Sequence, residues 1–174
     1  MAALVLVKSE NISELTNNDF HNIGSVVRLH NPSRADGKLQ FIAEGLDRFR
    51  IIKWLSNTPP YQVQVEYLDE QKEGASDKDE VRAYAMAVIN TIKELLPLNP
   101  LYSEELKHFL NRFGPNEPSP LADFAATLTT ASKDELQSVL ETLPIVARIK
   151  KVLILLKKEL EVANLQKRIR DRQD

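Results

Sequence analysis

Along the first 70 residues the apolar positions come in short runs and two-residue alternations. Ala3–Val7 is an unbroken apolar run, fit for a buried strand. Gly24–Leu29 and Lys38–Glu44 flank a loop that contains Pro32 and Asp36-Gly37, the turn chemistry of a hairpin. Arg48–Leu55 reads as a further apolar-rich strand. After the Pro59-Pro60 turn, Tyr61, Val63, Val65 and Tyr67 alternate with Gln62, Gln64 and Glu66, which marks a strand with one wet face. Short strands joined by turns, with little helix between them, predict a small barrel or folded sheet.

Past an acidic, polar stretch around Gly74, the period changes to three and four. Val81, Ala85, Val88, Ile92 and Leu95 line one helical face, which Pro97 ends. Ser103, with Glu104 and Glu105, opens a second helix carrying Leu106, Phe109, Leu110 and Phe113, stopped at Gly114-Pro115. Ser119-Pro120 reads as an N-cap followed by proline in the first turn of a third, with Leu121, Phe124, Ala125 and Leu128 inward. Ser132-x-x-Glu135 is a capping box for a short fourth helix with Leu136, Val139 and Leu140. From Pro144 to Gln173, Ile145, Ile149, Val152, Leu156, Leu160 and Ala163 repeat on one face with no glycine and no further proline. A helix of roughly 30 residues is about 45 Å long, so it is expected to connect to something beyond the chain. The predicted class is α+β: a β-rich lobe over residues 1–70, an acidic hinge over 71–77, and a helical lobe over 78–174 whose long helix begins at about 144.

Composition sharpens this by exclusion. With 43% hydrophobic and 28% charged residues in 174, the chain can bury a core. A formal charge of -2 gives no polycationic signature for nucleic acid. The absence of cysteine removes disulfides, thiol catalysis and cysteine metal sites, and fits a reducing compartment. No apolar stretch approaches the ~18 residues of a membrane span, and Ala2–Val7, followed by Lys8-Ser9-Glu10, is too short for a signal sequence. A soluble, cytoplasmic protein is expected.

Motifs of catalysis are missing. There is no phosphate-cradling glycine cluster among the five glycines and no H-E-x-x-H. His21, His30 and His108 lie far apart, without the paired spacing of a metal site. Ser25, Ser33 and Ser138 sit in no nucleophile elbow. No catalytic residue, cofactor or metal is therefore expected. Two features remain as binding signals. Phe20, Trp54, Tyr61 and Tyr67 either pack across strands or wall an apolar groove for extended peptides. The cations Arg148, Lys150, Lys151, Lys157, Lys158, Lys167, Arg168, Arg170 and Arg172 form either a solvated helix face or, as the lesser alternative, a nucleic-acid contact.

Several segments in order carry a family resemblance. Glu44-Gly45-Leu46-Asp47-Arg48-Phe49-Arg50-Ile51 resembles the E-G-L-x-R-x-R-I segment of the N-terminal domain of the Lon ATP-dependent protease family. Tyr61 to Glu70 is similar to its Y-x-A-x-V-E-Y-L-x-E strand, and Leu121-Ala122-Asp123 to the opening of its helical part. Gln137 to Glu141, Arg148 with Leu153 to Glu161, and Leu165 to Arg170 resemble its K-Q-x-L-L-E step and the start and continuation of its long helix. The similarity runs from about Ala3 over nearly the whole chain.

The resemblance implies a PUA-like β lobe and a helical lobe whose long helix leads toward an ATPase module and a Ser-Lys protease module. Neither module has positions in this sequence, so it is a piece of a longer chain or a stand-alone relative. The family's earlier P-L-x-x-x-x-x-F-P strand has no counterpart before Ala3 either, so the β lobe is expected to lack a strand and to expose a sheet edge or an apolar groove. The implied function is recognition of unfolded or damaged protein substrates and support of a hexamer in the parent protease, without membrane contact. Phe20, Trp54, Leu55, Tyr61 and the loop from Pro32 to Gly37 are the expected substrate contacts. Arg148, Ile149, Val152, Leu156 and Leu160 are expected to hold the lobes or neighbouring subunits together. The alternatives are a structural coupling module built on the long helix and a nucleic-acid adaptor.

Overall fold

The computed structural model describes residues 1–10, 14–69, 77–100 and 103–173. Two compact units divide the chain, Met1–Asp69 and Glu70–Asp174. Of the acidic hinge expected over 71–77, all but Asp77 lies outside the described residues.

The first unit is an antiparallel sheet of β1 (Ala2–Leu4), β2 (Ile23–Ala35), β3 (Lys38–Trp54) and β4 (Val63–Tyr67), in the order β1-β2-β3-β4. Each strand pairs with its sequence neighbour, and among the described residues β1 and β4 are the edges of an open meander rather than the seam of a barrel. A two-residue turn joins β2 to β3, with Asp36 and Gly37 both at positive φ (51° and 73°). That geometry matches the right-handed twist of the strands it connects, which is why Asp-Gly suits it. The segments expected as separate strands at Lys38–Glu44 and Arg48–Leu55 are one 17-residue strand. A register shift absorbs Leu46, since Val26 faces Asp47 while Val27 faces Gly45. Pro32, expected in a loop, lies inside β2 at a second shift between His30 and Ser33, beside Asn31 at φ 50°. A bulge tolerates a residue without an N–H donor.

Val27, Phe49 and Ile51 form the buried centre of this unit. The run Ala3–Val7 is not the buried strand its composition predicts. Only Ala2–Leu4 is strand, paired on one side to β2, and Leu4 is 41% exposed. An edge strand has one neighbour to cover it, so apolar composition alone does not bury it.

The second unit contains α1 (Lys78–Leu95), α2 (Ser103–Arg112), α3 (Pro118–Thr127), α4 (Lys133–Glu141) and α5 (Ile145–Asp171). Asp77 caps α1, its carboxylate accepting from the Asp79 N–H at 2.9 Å. The core gathers Val88, Ile92 and Leu95 of α1, Leu106 of α2, Leu121 and Ala125 of α3, Val139 of α4, and Ile149, Val152 and Leu156 of α5. Phe109 stacks on Phe124 with ring centroids 3.5 Å apart, joining α2 to α3.

Two details differ from the periodicity. Helix α3 starts at Pro118 with Glu117 at its cap, so Ser119 sits inside the first turn and is not the N-cap. Its hydroxyl is engaged by Arg148 instead, and Pro118 and Pro120 are both tolerated where the first N–H groups have no intrahelical partner. On α4, Leu136 points outward and Gln137 is buried, bonded through Nε2 to Glu141 Oε1 at 3.0 Å. A nine-residue helix is oriented by its few tertiary contacts, here Val139, and its own stripe is too short to prevail.

Helix α5 spans 27 residues, about 40 Å at 1.5 Å per residue. Its inward stripe runs from Ile149 through Val152 and Leu156 to half-buried Leu160 and Ala163. Past Ala163 every described residue is exposed, and Val162, Leu165 and Ile169 are 44%, 52% and 49% exposed.

Candidate functional site

Three aromatic rings from three separate segments meet at the base of the long hairpin. Phe20 lies 5.2 Å from Trp54 and 5.4 Å from Tyr61, centroid to centroid, and Trp54 meets Tyr61 edge-on at 5.8 Å. Each ring is half-buried, and the adjoining Leu55 is 60% exposed.

Local hydrogen bonding fixes each arm of this tripod. A 3-10 turn at Asn17–Asp19 delivers Phe20. Its start is closed by Asp19 Oδ2, which accepts from the Thr16 N–H at 2.7 Å and the Thr16 hydroxyl at 2.9 Å. Phe20 then pairs with Val7 in an isolated bridge, flanked by Lys8 N–H to Asp19 C=O and His21 N–H to Leu6 C=O. Trp54 ends β3, and the loop after it folds back through Leu55 N–H to Gln62 C=O at 2.9 Å. Inside that loop the Ser56 hydroxyl donates to the Pro60 C=O and accepts from the Gln62 N–H. The loop contains a cis bond at Pro59-Pro60 and sets Tyr61 against both other rings. Asn17 Nδ2 donates to Asn57 Oδ1 at 2.8 Å, tying the 3-10 turn to the loop. A hydrogen-bonded frame thus holds apolar ring surface beside an exposed leucine, an arrangement that takes apolar side chains without itself collapsing.

Of the six residues expected to contact substrate, Phe20, Trp54, Leu55 and Tyr61 share this base. Pro32 and Gly37 do not: both are exposed toward the far end of the hairpin. Trp54 is the last residue of the 17-residue β3 and Gly37 immediately precedes its first, up to about 55 Å apart at the rise of an extended strand. Tyr67 stands opposite Phe49 on β4 and is 62% exposed. The framing residues escape sequence reasoning: the Asn17–Asn57 bond joins segments 40 residues apart, and the Ser56 bonds depend on how its own loop closes.

The second expected group is placed differently. Arg148, Ile149, Val152 and Leu156 are at most 1% exposed, and the three apolar ones belong to the helical unit's own core. They offer no surface to a neighbouring subunit, which corrects the expectation of an oligomer contact there. Within its unit Arg148 engages Ser119 and Asp123 on α3. Leu160 is half-buried against the same core. The apolar residues that α5 leaves exposed are Ile154, Val162, Leu165 and Ile169.

Several cations of α5 also serve their own unit: Lys150 lies 4.0 Å from Glu80 and over the Tyr84 ring, and Lys151 donates to Ser138 Oγ at 2.7 Å. His30 bonds Glu44 at 2.7 Å. Among the described residues no group of three or more His, Asp or Glu could hold a metal, and no helix is long and apolar enough to cross a membrane.

Comparison with known proteins gives a consistent result. The family model of the ATP-dependent protease La (LON) substrate-binding domain matches residues 1–158. The chain is 44% identical over 169 residues to Lon protease 2 of Hydrogenovibrio crunogenus, covering 97% of this chain and 19% of that protein. It is 47% identical over 154 residues to the Lon protease of Magnetococcus marinus, covering 87% and 19%. It thus spans about a fifth of the length of these relatives. In fold it is similar to the N-terminal domain of the Mycobacterium avium complex Lon protease, with a TM-score of 0.62 at 16% identity over 90% of each chain.

Proposed function

Because the chain belongs to the ATP-dependent protease La (LON) substrate-binding domain family, we propose that it recognises unfolded or damaged polypeptides for a Lon-type protease. In this reading the chain performs no chemistry. The ATPase and the serine protease reside in the remainder of the parent protein, which acts in the cytoplasm as a homo-oligomer, a hexamer, without membrane or nucleic-acid partners. The observation that carries the capture role is the Phe20–Trp54–Tyr61 tripod with Leu55 at its rim. Unfolded chains differ from folded ones chiefly in the apolar side chains they present, and a rigid, partly wet apolar surface discriminates on that property. Each contact is weak, and repetition around an oligomer raises effective concentration.

The test is a titration of the chain with a permanently unfolded protein and with its folded counterpart. Binding of the unfolded form alone, lost on Trp54→Ala and on Leu55→Ser, is the expected result. Equal affinity for both forms removes the capture role.

A second role rests on a separate observation, the exposed Val162, Leu165 and Ile169 at and beyond the end of the α5 core stripe. They fit a helix end that couples this unit to the rest of the parent protein and supports its assembly. Leu165→Lys in the full-length protease is expected to impair assembly while leaving client binding by the isolated chain intact.

A further inference from the structure

The distal part of the β2–β3 hairpin is a two-stranded arm. From Arg28 to Glu44 every residue is exposed except half-buried Leu29. β1 pairs with β2 only up to Val27, and β4 pairs with β3 only from Phe49 onward. An isolated two-stranded ribbon is marginal in water, so this one has both edges to fill.

The two edges are not equivalent. On β2 the edge is interrupted by Asn31 in the left-handed region and by Pro32, which has no N–H. On β3 the stretch Leu39–Ala43 has no proline; Leu39, Gln40, Ile42 and Ala43 pair with Arg34, Ser33, His30 and Leu29, and the extra residue of the β2 bulge lies opposite Phe41. In an antiparallel ladder the main-chain groups point alternately toward and away from the partner. Because Ala35 and Lys38 close the two-residue turn, Lys38, Gln40 and Ile42 turn theirs toward β2, and Leu39, Phe41 and Ala43 turn theirs outward. The same three residues share one face of the ribbon, where Leu39 and Phe41 are 57% and 37% exposed. Among the described residues no strand lies along this stretch.

We propose that a second copy of this chain fills that edge, the two β3 strands pairing antiparallel about a two-fold axis at Phe41. In this register Phe41 faces its own counterpart, Leu39 faces Ala43, and Lys38 faces Glu44. Shifting the strands by two residues either way sets Lys38 against Ile42 or Leu46, so charge complementarity selects this alignment. Glu44 already faces Arg28 at 3.5 Å and His30 at 2.7 Å on its own arm, and Lys38 of the other copy joins that cluster from the facing strand. A two-fold contact of this kind is self-complementary and closes, so it limits assembly to pairs. Its short edge falls under the ~1,200 Å² of stable stand-alone interfaces, so it acts where chains are already held together.

The chain has no native cysteine, so introduced cysteines report the pairing directly. Residues directly opposed across an antiparallel ladder have Cα atoms about 4.5–5.5 Å apart, within the ~4.4–6.8 Å of a disulfide. Under mild oxidation Phe41→Cys is expected to give a covalent dimer. Leu39→Cys and Ala43→Cys are each expected to stay monomeric alone and to cross-link when mixed. Lys38→Glu, added to Phe41→Cys, is expected to slow cross-linking at least threefold by opposing two glutamates. Failure of Phe41→Cys to cross-link at high chain concentration overturns the proposal, as does self-cross-linking of Leu39→Cys as fast as the mixture. Circular dichroism of each variant verifies that the exposed substitutions leave the chain folded. No client is needed for this pairing, so its failure leaves the capture reading standing.

Discussion

Arg148, with none of its side chain exposed, donates from Nη2 to the Ser119 hydroxyl at 2.6 Å, while its Nε lies 3.5 Å from Asp123 Oδ1. A guanidinium withdrawn from water is tolerated only with partners in place. Both of these come from the first turns of α3, so the pair fixes α3 against α5. Arg148→Ala is expected to cost ~2–5 kcal/mol, because it empties a fully buried site and removes both contacts to α3. Arg148→Met, which keeps the volume without the charge, should recover about half of that. Asp123→Ala takes an anion away from the fully buried Arg148, so although Asp123 is itself 41% exposed the change is expected to cost about 1–3 kcal/mol. Urea unfolding midpoints at unchanged m-value measure all three.

Gly24 holds β2 against β1 at a point where a side chain has no room. A Cβ there would stand 2.8 Å from Phe49 Cζ and 2.9 Å from Val5 Cγ2, and would press on the Leu4 carbonyl oxygen. Backbone on one side and a buried ring on the other cannot both yield. Gly24→Ala should therefore destabilise the β unit by ~1–3 kcal/mol. Gly45, where a Cβ would meet nothing within 4 Å, is the control, and Gly45→Ala should change stability by no more than ~0.5 kcal/mol. Thermal unfolding of the two variants side by side decides it.

The capture surface can be tested apart from stability through Leu55. At 60% exposure its replacement by serine should shift folding by no more than ~0.5 kcal/mol. Covering it with a client side chain removes water from apolar surface, so its loss should weaken binding of an unfolded protein about three- to tenfold. Trp54→Ala should weaken binding more but also costs stability, since each ring pair is worth ~0.5–1.5 kcal/mol. Fluorescence anisotropy with a labelled unfolded client, alongside urea unfolding, separates the two effects.

What the sequence made legible follows from where each signal is stored. The inward faces of α1 and α5 were readable because a long amphipathic period over-determines a helix's orientation: Ala85, Val88, Ile92, Ile149, Val152 and Leu156 are all buried. The capping box at Ser132 and Glu135 was readable because it is local chemistry within four residues. Leu136 and Ser119 were misplaced because a short helix takes its rotation and its start from neighbours. The merging of two expected strands into β3 was hidden because Gly45 and Asp47 look like turn residues in isolation, and only the pairing with Val26 and Val27 shows them absorbed as a bulge. At the candidate site the aromatic identities were visible, but the 40-residue separation of Asn17 and Asn57 put their bond beyond any local pattern.

Helix α4 carries a charge-dependent element whose direction is determined. The Ser132 N–H donates to Glu135 Oε1 at 3.2 Å, and the Glu135 N–H donates in return to Ser132 Oγ at 3.2 Å. The backbone bond from Ser132 is the largest influence on the Glu135 carboxyl, followed by the Ser132 side chain, with Lys158 adding attraction, and together they hold it below the ordinary carboxylate value. A group whose folded value is depressed binds its proton more readily in the unfolded chain. Its contribution to stability is therefore complete above the unfolded value and fades as pH falls through the lowered one. Glu135→Gln keeps an oxygen for the Ser132 N–H but removes the titration. The variant should thus be less stable than the parent at neutral pH, and the gap should close as the solution is acidified below the ordinary carboxylate range. Denaturant midpoints of both proteins across that range measure it, and a gap that stays constant with pH would show that the capping carboxylate contributes by shape alone.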